Sequence, residues 1–200
     1  MKNFCQLPAR HHFKTLQIAG GLTALCLFAV SPSCKQKTDY SVEISRLDSA
    51  ASELVSAEKT FLSLDTNSLR SAYDSTLGKL RMISAEISGD TVNKETAIFL
   101  SDAYEQTGNI STVLNNKKYF GRALQDGQQR ISDLKHDLQE DLIEKNKSAA
   151  YVVNEMNASQ KISEAVNNAI VKAKISSAKL DSMKTQILFL SDSLNLRNTK

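Results

Sequence analysis

The sequence predicts an all-α protein, an elongated antiparallel helical bundle or coiled coil of three long arms that breaks divide into four or five helices. Three observations carry this expectation. Residues 34–200 contain no proline, so the strongest helix breaker is missing throughout. Apolar residues recur at spacings of three and four rather than two. Ala, Leu, Lys, Glu and Gln, all good helix formers, are abundant together with Ser. Turn signals divide the region into arms at about 40–88, 92–144 and 147–196. Each arm has about 50 residues, or roughly 75 Å as a straight helix. Equal lengths suit antiparallel packing, and a compact bundle of four or five shorter helices is the alternative.

The first arm opens with Ile44, Leu47, Ala51, Leu54 and Phe61 at heptad spacing, interrupted by Glu58. Its phase slips at Leu64-Asp65-Thr66-Asn67, where Asp65 is placed to cap a second helix. Leu69, Tyr73, Leu77, Leu80, Ile83 and Ile87 continue the apolar face. Ser88-Gly89-Asp90-Thr91 is the best turn signal in the chain, with Gly89 suited to the left-handed position and Asp90 or Thr91 to capping the next helix. The second arm carries Ala97, Leu100, Tyr104, Ile110 and Leu114, and a break is expected at Asn115-Asn116-Lys117-Lys118. Beyond it lies a further stripe: Tyr119, Phe120, Ala123, Leu124, Ile131, Leu134, Leu138 and Leu142. The next turn is expected near Asn146, with Ser148 as a cap. The third arm is the most regular. Ile162, Val166, Ala169, Ala173, Ser176, Leu180, Met183, Ile187, Leu190 and Leu194 keep a strict three-four alternation. Such a seam favours left-handed coiled-coil packing.

Residues 1–33 differ from the rest. Lys2, Arg10 and Lys14 supply positive charge with no acid among them, and Leu16–Val30 forms a mainly apolar stretch of 15 residues. A membrane-spanning helix needs roughly 20 residues. A basic start, a short apolar centre and the small residues Ser31 and Ser33 read as a secretory signal peptide. Its removal changes the charge balance. Taking Lys2, Arg10 and Lys14 from the 25 Lys and Arg leaves 22, against 22 Asp and Glu. The basic pI of about 8.7 therefore comes from the leader, and a nucleic-acid partner is not expected.

Of three cysteines, Cys5 and Cys26 lie in the leader and only Cys34 remains after it. No internal disulfide is then possible, although an exported compartment would permit one. Val30-Ser31-Pro32-Ser33-Cys34 resembles the lipobox of bacterial lipoproteins, with Ser33 as the small residue before the cut. Ser31 stands where leucine is usual and Pro32 where a small residue is usual, and this looser box is similar to that of Bacteroidetes lipoproteins. The resemblance implies that a signal peptidase cuts before Cys34 and that its sulfur carries a diacylglyceryl group. Cleavage without lipid, leaving a soluble exported protein with a free thiol, is the alternative. The expected organisation is a signal peptide over 1–33, a lipidated cysteine and polar tether over 34–39, and a helical bundle over 40–200. Lys35 and Lys37 do not resemble the acidic cluster that directs related lipoproteins to the cell surface. A periplasm-facing position, on the outer membrane, is therefore expected. The ending at Lys200 resembles the major murein lipoprotein of enteric bacteria, whose terminal lysine joins the cell wall. That resemblance covers the two ends alone, and wall attachment is not expected.

Convergent chemistry is not legible. The region after the leader has one histidine, His136, which shares a helix face with Glu140 four residues on, beside Asp137 and Asp141. This is half a metal site at most, since no second histidine or nearby cysteine completes it. No G-x-S-x-G element or phosphate-binding glycine loop occurs. Glu140 and Asp141 are adjacent and do not face one another on a helix. Tyr40, Tyr73, Tyr104, Tyr119 and Tyr151 are expected as half-buried bundle residues, and Asn154, Asn157, Asn167 and Asn168 as surface amides. The sequence thus predicts a non-catalytic helical lipoprotein of the cell envelope without metal or cofactor. Its partners would be the membrane, through the acyl chains, and an envelope protein or a second copy of itself. A periplasmic coiled-coil holdase is the alternative, and a metal or small-ligand sensor at His136 a third reading.

Overall fold

The computed structural model describes residues 37–87 and 92–198, with backbone alone for 194–198. The leader, Cys34, the expected turn at Ser88–Thr91 and Lys200 lie outside the described residues. Four helices are present: α1 (Ser41–Leu62), α2 (Thr66–Glu86), α3 (Lys94–Gln139) and α4 (Lys145–Asn198). No strand occurs among the described residues. α1 and α2 each pack against both α3 and α4, but not side by side with each other. The first arm is therefore one broken helix laid along two long ones. The architecture is an all-α bundle of three arms made from four helices.

The break between α1 and α2 falls where the phase slip predicts it. Ser63 donates its N–H to Lys59 O, and the chain then turns through Leu64. The Asp65 carboxylate accepts from the N–H groups of Asn67 (3.1 Å) and Ser68 (2.9 Å). Two of the donors that open α2 without an intrahelical partner are satisfied in this way.

The second arm differs from expectation. α3 runs unbroken through Asn115–Lys118 for 46 residues, roughly 69 Å. Val113 and Leu114 on one side and Phe120 and Leu124 on the other are buried in the same core. Asn116 donates to Thr112 O four residues back (2.9 Å), so the polar run is helix surface. Tyr119 is 68% exposed beside the buried Phe120, and Leu142 is 67% exposed; neither joins the stripe assigned to it. Phe120 instead meets Phe61 of α1 edge to face, at 6.2 Å between ring centres.

The turn into α4 comes earlier than expected. α3 ends at Gln139, and Asp141 takes the left-handed conformation (φ 55°). Leu142 N–H donates to Asp137 O (2.9 Å) and Asp141 N–H to Leu138 O (3.2 Å). These are the two bonds of a Schellman motif, with aspartate where glycine is usual. Ser148 is not a cap. It is fully buried inside α4, its hydroxyl donating to Lys145 O (2.9 Å) and Glu43 Oε1 (3.3 Å).

The predicted seam of α4 faces the core of the bundle over the described residues, and the side chain of Leu194 lies outside them. Val166, Ala173, Ser176, Leu180, Met183 and Ile187 are buried, while Ile162, Ala169 and Leu190 pack against the core from its margin. Val152, Ser159, Ser163 and Ile170 extend it. Small residues bring the helices close. A Cβ on Gly127 of α3 would lie 3.0 Å from Leu54 Cδ1 of α1 and 3.4 Å from Ile162 Cδ1 of α4, so the three arms meet at this glycine.

The Ser159 hydroxyl is buried without a hydrogen-bond partner. Such a group forfeits its hydration with nothing in return, and serine is a poorer helix former than alanine. Ser159→Ala is expected to raise unfolding stability by about 1 kcal/mol, read as an increased urea midpoint at unchanged m-value.

Candidate functional site

The residue singled out for chemistry at the sequence level, Cys34, lies outside the described residues. The structure defines how the chain beyond it enters the bundle. Residues 37–40 are not helical, and Ser41 begins α1 with its N–H bonded to Asp39 Oδ1 (2.9 Å). That bond, foremost, holds the Asp39 carboxyl below the usual carboxylate range.

Tyr40 is buried at 3% exposure. It is pinned to the α3–α4 turn, its hydroxyl lying 3.2 Å from Asp141 Oδ1 and donating to Ile143 O. Lys145, the first residue of α4, stands over the Tyr40 ring with Nζ 4.7 Å from its centre. The same ammonium donates to Asp39 O (2.6 Å) and Glu43 Oε1 (2.8 Å). Burial of Tyr40, above all, raises its phenol pKa. The Lys145 hydrogen bond, above all, lowers that of Glu43. A cation on an aromatic face is stabilising, and here it also carries two charge-assisted hydrogen bonds. These groups form a clasp closing one end of the bundle.

A second polar cluster sits between α3 and α4. The hydroxyl of Ser176, buried in the seam, donates to Gln106 Oε1 (2.8 Å) and accepts from Asn109 Nδ2 (3.1 Å). Gln106 Nε2 donates to Asp102 Oδ1 (2.8 Å), which also takes Lys179 Nζ at 2.7 Å. Lys179, foremost, lowers the Asp102 pKa. Nearby, Ser84 of α2 and Tyr104 of α3 pair their hydroxyls at 2.9 Å. Every group here is satisfied by another in the cluster. Its effect is on helix register, because sliding α4 by one turn would strand these buried polar atoms.

The structure does not bring the other sequence candidates together. His136 is exposed in the last turn of α3, and Glu140 lies at the helix end. Among the described residues no three His, Cys, Asp or Glu side chains converge as a metal site. Asn154, Asn157, Asn167 and Asn168 are all exposed. Tyr73 and Tyr104 are half-buried as expected, whereas Tyr119 and Tyr151 are exposed and Tyr40 is buried. The depressions on the surface are open grooves. Those between α2 and α4 are lined by small residues such as Ser71, Ala72 and Ser75 together with the charged Lys79, Asp181 and Lys184. No helix of the described residues is long and apolar enough to cross a membrane.

The clasp is not legible in the sequence. Its tyrosine and its turn residues are separated by 101 positions, and no local pattern joins them. The local signal for the turn is the trio of acids Glu140, Asp141 and Glu144, which is weaker than the apparent cap at Ser148. Comparison with protein-family models, curated proteins and solved structures finds no match to this chain.

Proposed function

We propose that the protein is a membrane-anchored, non-catalytic lipoprotein of the cell envelope that presents its helical bundle to an envelope partner or to a second copy of itself. The observation that carries this reading is Cys34, directly after a basic and then apolar leader that ends in small residues. An acylated cysteine there stabilises membrane attachment by roughly 0.8 kcal/mol per buried methylene, so two or three chains anchor it firmly. The long apolar seam is consumed by the bundle's own core, which leaves the outer faces as the surface offered to a partner. The proposed location is the outer membrane, facing the periplasm.

The test is the mass and membrane fractionation of the mature protein beside Cys34→Ala. The expected result is a mature chain beginning at an acylated Cys34, with the variant shifted from the membrane fraction to the soluble one. A wild-type chain beginning at Pro32 or Cys34 without lipid, and soluble, would sink the lipoprotein reading.

One observation favours the holdase alternative. Val171, Ile175 and Phe189 are exposed at positions that share the outward side of α4, and exposed apolar surface is what unfolded chains bind. If aggregation of a model substrate proceeds at the same rate with and without the purified bundle, that alternative is removed.

A further inference from the structure

We infer that the end of the bundle formed by the α3–α4 turn and the start of α1 is a foot that rests on the lipid surface, with Leu142 and Val42 as its contact residues. This inference rests on the lipid anchor at Cys34 proposed above. It names the surface that such an anchor brings into contact.

Chain length limits where the bilayer can lie. Five residues separate Cys34 from Tyr40, and an extended chain gains at most roughly 3.6 Å per residue. The tether therefore reaches at most about 20 Å, whereas α3 alone is roughly 69 Å long. An anchored Cys34 keeps the start of α1 near the bilayer, while nothing ties the opposite end to it.

The clasp joins the entering chain to the α3–α4 turn. Tyr40 binds Asp141 and Ile143, and Lys145 binds Asp39 and Glu43. The α3–α4 turn is thus held at the end where the tether enters. The clasp sets which end of the bundle lies nearest the anchor.

This end also exposes apolar side chains. Leu142 is 67% exposed and Val42 62% exposed. In a Schellman motif the residue at the position of Leu142 commonly folds back onto an apolar residue of the helix. Here the corresponding helix positions are His136 and Asp137, which offer it nothing, and it stays in the open. The exposed acids Glu140 and Asp141 flank it, while Glu144 is paired with Lys147 at 3.0 Å. With Lys35 and Lys37 in the adjoining tether and Lys147 beside Glu144, the charge at this end is mixed and suits a zwitterionic surface, where ammonium headgroups meet the carboxylates. The fit is to shallow contact with a leaflet rich in aminophospholipid.

The experiment uses the full-length, lipidated protein. Leu142→Cys supplies one free thiol, because Cys34 is blocked by its thioether and the leader cysteines are removed. It is labelled with an environment-sensitive nitrobenzoxadiazole probe and reconstituted in phosphatidylethanolamine–phosphatidylcholine vesicles. Ile98→Cys, exposed near the start of α3, is the control at the other end. The expected result is blue-shifted emission at position 142 and several-fold stronger quenching by headgroup spin-labelled lipid than at 98. Vesicles that carry the protein while the probe at 142 stays fully aqueous would overturn the foot and leave the anchor standing. Equal shielding at 142 and 98 would mean a bundle lying flat, and would also overturn it. Protein that fails to float with the vesicles and lacks lipid by mass would bring down the anchor, and the foot with it.

Discussion

Leu54→Ala is expected to destabilise the bundle by about 3 kcal/mol. Leu54 has no exposed surface, and its Cδ1 lies where a Cβ on Gly127 would come within 3.0 Å. Removing its side chain opens a cavity against a backbone with no side chain to collapse into it. The cost of such truncations grows with the residual cavity, so this position belongs toward the large end of the range. Gly127→Ala gives the complementary reading. In the wild-type background the new methyl gains helix propensity worth roughly 1 kcal/mol, but it presses on Leu54 and on Ile162 Cδ1, 3.4 Å away. In the Leu54→Ala background the pressure from Leu54 is gone, and the methyl fills part of the void. Gly127→Ala is therefore expected to stabilise the Leu54→Ala protein by at least about 1 kcal/mol and the wild type by clearly less. Chemical denaturation of the four proteins of this cycle measures the difference. Additive effects would show that the two residues do not share a packing site.

Tyr40→Ala is expected to lower the melting temperature by roughly 10 °C, and Tyr40→Phe by a smaller amount. The alanine removes the buried ring and the seat of the Lys145 cation. The phenylalanine keeps both and loses only the hydroxyl contacts with Asp141 and Ile143 O. Hydrogen exchange separates the clasp from general stability. The first turns of α1 and α4 should lose protection in Tyr40→Ala, while the Gln106–Ser176 layer keeps its own. Uniform loss across the molecule would mean that the clasp is no separate unit.

The pH dependence comes from the same groups. The folded pKa of Glu43 lies below its ordinary 4.5 and that of Asp102 below 3.8. Their stabilising contribution is complete above those ordinary values and is lost as pH falls through the lowered ones. Tyr40 shifts the other way, above 10.0. Its contribution is complete below 10.0 and is lost as pH rises through the raised value. Glu43→Gln should flatten the acid limb of the melting-temperature profile, and Tyr40→Phe the alkaline limb. Unchanged limbs would show that these groups carry no net linkage.

Local sequence determined what depends on one or two helical turns. The absence of proline and the three-four spacing made the region helical. The phase slip at Asp65 placed the α1–α2 break, since the capping carboxylate and the backbone donors it serves lie within three residues. The seam from Val166 to Ile187 was legible because every third or fourth residue repeats one chemical decision. The anchor proposed at Cys34 rests on the same kind of local reading, made along the chain.

Tertiary packing decided the rest. Asn115–Lys118 has the composition of a turn, yet buried neighbours on both sides keep α3 straight through it. Leu142 matches the spacing of its stripe, but the helix has already ended at Gln139. The turn at Asp141 uses a left-handed aspartate, a weaker signal than glycine, and it is held in part by Tyr40 from the far end of the chain. Ser176 belongs to the seam read from the sequence, but its partner Gln106 carried no signal there, and the two become a buried polar layer only when the helices are laid side by side. Period and propensity act over a few residues. Which face is buried, and where a helix stops, depend on partners brought together from distant parts of the chain, and those exist only once the arms have packed.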